Sequence, residues 1–180
     1  PSPVKIDQGR IVDVRIPQPV GDYAVTTDIS LLFKTEYGGT PLFFGNVRPF
    51  GEPDDEMNDF IALSIEGARP VVQLKLSKSD PLMTIPLKTQ VNDNQWWWLK
   101  VRRVGRHVVV SLQGKNEKVT HETRSETTQG QSTMLNLKKN GGAKLYLGGT
   151  PRDVATGLNA PVHFVGTIGV LLLNGERVGL

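Results

Sequence analysis

The 180-residue chain is expected to fold as an all-β protein, an antiparallel sandwich or barrel. Three observations predict this. Short segments alternate apolar and polar residues with a period of two. Gly, Pro, Asn and Asp punctuate those segments at short intervals. No stretch of useful length carries a helical period.

Taken in order, Ile11 to Ile16 reads as the first strand. Asp28 to Thr35 follows, with Ile29, Leu31 and Phe33 on one face. Gly38-Gly39 is expected to turn the chain into a strand from Thr40 to Asn46. Next comes a hairpin headed by Asp59. Phe60 and Ala62 share one parity, while Ile61, Leu63 and Ile65 form the opposite apolar line of a half-buried strand. Glu66-Gly67-Ala68 supplies its turn, and Val72, Leu74 and Leu76 resume the alternation. Further strands are expected at Trp96 to Arg103, His107 to Leu112, Met134 to Leu137, Lys144 to Gly148 and Val162 to Leu173. Asn174-Gly175 closes the last with a strong turn signal. Residues 48–58 and 115–131 read as long polar loops.

Composition narrows the functions available. The length suits a single domain over residues 1–180 with a sizeable core. The chain begins at Pro1-Ser2-Pro3 and reads as a piece of a longer protein. A formal charge of +3 is no argument for a nucleic-acid partner. No apolar run approaches the ~20 residues that span a bilayer, so membrane insertion is not expected. The absence of cysteine excludes disulfides, thiolate metal sites and a cysteine nucleophile. His107, His121 and His163 are scattered without ligand spacing, which argues against a histidine-based metal centre.

Five groups of residues are candidates for chemistry. Asp59 stands at a strand entrance, and Leu76 ends the return strand near the same rim. A carboxylate and a carbonyl at one sheet edge suit a small oxygen-ligand cation, although Asp59 would equally cap a turn. In Trp96-Trp97-Trp98, parity sets Trp97, Leu99 and Val101 toward the core. Trp98 then stands outside with Lys100 and Arg102, either as an aromatic with two cations that suits a protein or an acidic glycan, or as a covered ring packed under the Lys or Arg stems. The densest basic run joins Lys100, Arg102, Arg103, Arg106 and His107 around a turn at Gly105. It reads either as a heparan sulfate patch or as a solvated hairpin. Lys138, Lys139 and Lys144 form a weaker basic group. Glu52, Asp54 and Glu56 alternate as a glycosidase carboxylate pair can, but Pro53 and Asp55 between them favour an exposed loop. Neither a nucleophile elbow nor a Gly-rich phosphate loop is present.

Six segments, in order, resemble the laminin G-like module, also called the laminin–neurexin–sex-hormone-binding-globulin domain. They are residues 28–35, Pro41-Leu42-Phe43-Phe44-Gly45-Asn46, Asp59-Phe60-Ile61-Ala62-Leu63, residues 92–103, Leu145-Tyr146-Leu147-Gly148-Gly149 and residues 164–175. Leu135-Asn136-Leu137 and the ending from Asn174 to Leu180 look most like a G module of a laminin α subunit, the first of a tandem array. Thr167 stands where most members carry cysteine, and Trp97 where they carry histidine.

The resemblance implies a jelly-roll-like sandwich of two antiparallel sheets, secreted to the extracellular matrix and basement membrane, with no catalytic residue. It implies partners of integrin or dystroglycan type, heparan sulfate or another acidic glycan, and neighbouring G modules. It also implies a rim calcium ion. Asp59 matches the acid ligand, Leu76 and Lys138 the carbonyl ligands, and Asn140 the second side-chain ligand. With one formal charge among them, binding is expected in the ~10⁻⁴–10⁻³ M class of extracellular modules. A lectin-like glycan-binding module, or a jelly-roll glycoside hydrolase, is the rival reading.

Overall fold

A computed structural model describes residues 3–7, 9–47, 59–77, 79–138, 142–150 and 163–180. In sequence order the strands are β1 (Val4–Ile6), β2 (Val12–Val14), β3 (Thr26–Asn46), β4 (Phe60–Glu66), β5 (Arg69–Lys75) and β6 (Met83–Pro86). They continue with β7 (Trp97–Val104), β8 (His107–Gly114), β9 (Glu122–Thr127), β10 (Ala143–Leu147), β11 (Val165–Leu173) and β12 (Glu176–Arg177). A 3₁₀ turn, Val20–Tyr23, precedes β3. The strand pairings among the described residues are antiparallel.

The ladders form two sheets. Sheet A runs β1–β11–β3–β7–β8–β9, with β12 beside the far end of β11. Sheet B runs β2–β10–β3–β4–β5–β6. Strand β3 belongs to both. Its first half pairs with β7 and β11, and its second half with β4 and β10. The expected Gly38-Gly39 turn is therefore a bend within one strand. Gly38 and Gly39 hold φ of +144° and +109°, which side chains resist. A Cβ on Gly39 would stand 1.8 Å from the His163 carbonyl oxygen.

Between the sheets lies a continuous core. Ile29, Leu31 and Phe33 of β3 meet Trp97, Leu99 and Val101 of β7, and Ile61, Leu63 and Ile65 of β4 oppose them. Burial of each such side chain contributes about 1.5–3 kcal/mol, so the parity of these strands fixes the sandwich. Strand β4 departs from its half-buried expectation, because Phe60 and Ala62 on its other face are buried with Phe43 against Val47, Leu82 and Tyr146.

Residues 115–131, expected as a loop, contain β9, the outer strand of sheet A. Its side chains alternate half-exposed and exposed, so no apolar line marks it. It is stitched to the edge of sheet B instead. The Glu122 carboxylate accepts from Lys88 N (2.8 Å), Thr89 N (2.9 Å) and Thr89 Oγ1 (2.7 Å), and Arg124 Nη1 donates to Pro86 O (2.8 Å). Residues 134–137 form no strand: Leu135 and Leu137 are buried as their alternation predicts, but the backbone runs along the rim without a ladder. Residues 48–58, expected as a loop carrying Glu52, Asp54 and Glu56, lie outside the described residues.

Candidate functional site: a rim cavity and a cationic sheet face

At one rim of the sandwich, a cavity of about 420 Å³ gathers Asp59, Leu76 and Lys138, three of the four expected metal ligands. Asn140 lies outside the described residues. Asp59 directly precedes β4 and is buried, and its Oδ2 accepts from Asn136 N at 2.7 Å. Its backbone carbonyl accepts from Asn46 N at 2.9 Å. The Leu76 carbonyl accepts from Ser132 Oγ at 3.2 Å. Asn46 Nδ2 donates to the Asn136 carbonyl, while Asn46 Oδ1 is buried without a hydrogen-bond partner among the described residues.

In kind these donors suit a calcium-type cation: a carboxylate and a carbonyl on one cavity, with an unpartnered amide oxygen beside them. In charge they suit it weakly. Asp59 is the one carboxylate of the described lining, and Lys138 Nζ lies at the cavity edge, 3.5 Å from where a Gly21 Cβ would stand. No group of three or more His, Cys, Asp or Glu suited to a metal occurs among the described residues.

Arg103 is placed differently from its expected role in a partner-binding patch. It is fully buried, on the core-facing parity of β7 with Trp97, Leu99 and Val101. Its Nη1 donates to Gly105 O (2.9 Å) and Thr133 O (3.2 Å). Nη2 donates to Tyr23 O and Ala24 O (both 2.8 Å) and to Thr27 Oγ1 (3.0 Å). Burial lowers its pKa and the Asp59 charge offsets part of that, leaving it at about 10. Arg103 thus ties the 3₁₀ turn and the 133–135 segment, both cavity walls, to sheet A. The period-two rule assigns it inward; adjacency to Arg102 in the basic run obscures that.

Arg106 is half-buried and bonds Thr128 through Nε (to Oγ1, 3.3 Å) and Nη2 (to the carbonyl), so it is committed to the β8–β9 margin. Lys144 pairs with Asp13 at 3.2 Å, and Lys139 lies outside the described residues.

The outer face of sheet A keeps the rest of the patch. Trp98, Lys100 and Arg102 project outward from β7, with the Lys100 ammonium 5.7 Å from the Trp98 ring centroid. Arg102 Nε is 3.7 Å from Asp28 Oδ1, and both side chains remain open to solvent. A shallow depression of about 430 Å³ lies here, bordered by Asp28, Ser30, Lys100, Arg102 and Ser111. Sequence reasoning does not single out Asn136, Ser132 and Asn46 at the rim, or Lys34 and Lys115 on this face. Each is placed by cross-strand or loop contacts that no local pattern encodes.

Two stacked antiparallel sheets sharing one long bent strand, with a rim cavity at a strand entrance, define a laminin G-type sandwich. A family model described as "Laminin G domain" matches residues 33–176, and the chain belongs to that family, whose members are generally non-catalytic. It is 26% identical over 185 residues to a "Laminin subunit alpha" of Drosophila melanogaster, covering 98% of this chain and 5% of that protein. Among solved structures, the LG1–3 region of the laminin alpha2 chain superposes with a TM-score of 0.74 at 16% identity, covering 97% of this chain and 31% of that one. The CBM40 module of the Ruminococcus gnavus IT-sialidase, bound to alpha2,3 sialyllactose, superposes with a TM-score of 0.65 at 14% identity, covering 99% and 92%.

Proposed function

We propose that this protein is a non-enzymatic extracellular adhesion module that binds acidic glycans, and receptors bearing them, through the outer face of sheet A. One observation carries the reading. Trp98, Lys100 and Arg102 stand outward on one strand, and no carboxylate pairs with Lys100 among the described residues. An aromatic surface with exposed cations complements a sulfated or carboxylated saccharide. Integrin- or dystroglycan-type receptors and neighbouring G modules are the protein partners that laminin kinship suggests. The carbohydrate-bound neighbour supports the glycan reading only by sharing the fold.

The test is binding of a heparan sulfate oligosaccharide across a salt series. Lys100→Glu with Arg102→Glu is expected to weaken binding at least tenfold, and salt to weaken it further, because exposed charges are screened within ~8–10 Å. Salt-insensitive binding, or turnover of the saccharide, would overturn the reading.

A second reading concerns calcium, favoured by the meeting of Asp59, Leu76 and Lys138 on one cavity. Asp59, the Leu76 and Lys138 carbonyls and Asn140 would hold the ion, which would order the rim loops. Calcium is expected to raise the melting temperature once its concentration reaches its Kd, and further above it, and Asp59→Ala or Asn140→Ala to abolish the rise. Isothermal titration without heat would remove this proposal.

A further inference from the structure

The register of sheet A aligns a second set of outward residues, one that crosses the strands instead of following β7. Lys5 of β1 is opposite Thr167 of β11, and Thr167 is opposite Lys34 of β3. Phe33 pairs with Trp97, and Trp97 with Gly114, so the next residues outward, Lys34, Trp96 and Lys115, continue the same row. Ile6, Phe33, Trp97 and Ile168, their sequence neighbours, face the core. Adjacent strands lie ~4.8 Å apart, so the row from Lys5 to Lys115 extends about 19 Å.

Trp96 organises the row. Its indole lies over β11, where Gly169 leaves room: a Cβ there would stand 2.9 Å from Trp96 Cζ3. The Lys34 and Lys115 ammonium groups sit 5.0 and 5.5 Å from the ring centroid. One aromatic post therefore gathers two cations from different strands. Such cation–π contacts are weakly attractive at exposed sites and bias both lysines toward the ring. Lys5 extends the row at one end, where Arg10 Nη1 donates to the Lys5 carbonyl at 2.8 Å. No carboxylate pairs with Lys5, Lys34 or Lys115 among the described residues. Of the carboxylates nearby, Asp28 faces Arg102, Asp93 accepts from Gln95 N and Trp97 Nε1, and Glu117 accepts from Gly114 N and lies 3.4 Å from His121 Nδ1. Glu36 shares the face of Lys34, two residues along β3 and outside the row.

We infer that Lys5, Lys34, Trp96 and Lys115 form a binding track for a linear sulfated glycan lying across the strands. The Lys34–Trp96–Lys115 cluster seats one sulfate and Lys5 meets the next. The inference rests on the glycan reading above and adds the place and direction of the saccharide. A linear polyanion matches a row of cations with no acidic interruption, whereas a compact anion would use the Trp96 cluster alone.

The experiment titrates a heparin octasaccharide, its chemically desulfated form and inorganic sulfate into the folded protein at low and physiological salt. Lys34→Ala/Lys115→Ala is expected to weaken octasaccharide binding about tenfold or more, and Lys100→Ala/Arg102→Ala about threefold. Lys5→Ala should weaken the octasaccharide severalfold and leave sulfate unchanged. Trp96→Leu retains both lysines but is expected to lose severalfold, which reports the post. Thermal melts of each variant confirm folding. Full binding by Lys34→Ala/Lys115→Ala with binding abolished in Lys100→Ala/Arg102→Ala would overturn the track and leave the glycan reading standing. Absence of octasaccharide binding by the unmodified protein would overturn both, and equal affinity for the desulfated form would overturn the track's chemistry.

Discussion

Arg102 and Arg103 are adjacent on β7 and belong to opposite regions of the molecule. Arg102 stands on the outer face of sheet A, its side chain 70% exposed, near an accessible Asp28. Arg103 is buried behind the rim cavity with five hydrogen bonds to neutral oxygens. The difference separates two uses of charge. A buried charge is expensive to leave unsatisfied, so its partners become architecture. An exposed charge contributes little to folding and stays free for a ligand.

Removing the two arginines gives the largest test of that contrast. Arg103→Met keeps the volume and strips the donors from the Tyr23, Ala24, Gly105 and Thr133 carbonyls, and it removes the positive charge that Asp59 faces. A loss of about 3–5 kcal/mol is expected in denaturant unfolding. Arg102→Met should stay within about 0.5 kcal/mol, as surface changes do. Equal losses would erase the distinction between the two regions.

Asp59 sharpens the comparison from the rim side. Asp59→Asn preserves an oxygen for Asn136 N but removes the charge near Arg103. A cost of about 1–3 kcal/mol is expected, the range for a buried group left imperfectly paired. If calcium binds, the parent protein should gain thermal stability in its presence and the variant should not. A variant as stable as the parent would mean that Arg103 is compensated by its carbonyls alone.

How much of this is legible in sequence follows from the same physics. Strand parity is local, so the core lines of β4, β7 and β11, the Asn174–Gly175 turn and the outward place of Trp98, Lys100 and Arg102 can be read directly. Asn174 shows why that turn signal is strong: φ is +46°, and Oδ1 accepts from Asp28 N at 2.7 Å. The Asp59–Leu76 meeting is legible because a hairpin returns to its own rim. Contacts set by topology are not. Asn136 faces Asp59 across 77 positions, and the Lys5–Thr167–Lys34 row needs the order of β1, β11 and β3. Strand β9 escapes a sequence reading because an edge strand buries too little to leave an apolar alternation. Gly38-Gly39 imitates a hairpin turn because a bend between two sheets also demands positive φ.

Glu122 on β9 is the intermediate case, a half-exposed carboxylate with fixed partners. Burial raises its pKa, but the bonds from Lys88 N, Thr89 N and Thr89 Oγ1 outweigh burial and leave it below the usual carboxylate range. A folded pKa below the unfolded value, ~4.3, means that its stabilisation is fully present above that pH. It is lost as pH falls through the lower folded value. Glu122→Gln keeps the acceptor and removes the titration, so its stability should be flatter than the parent's on that acid limb. At neutral pH the two should differ by no more than about 1 kcal/mol, because solvent screens a half-exposed charge. Urea melts at neutral and acid pH measure both quantities. A larger neutral difference would place Glu122 with Arg103 as architecture, and identical acid limbs would place it with Arg102 as a free surface charge.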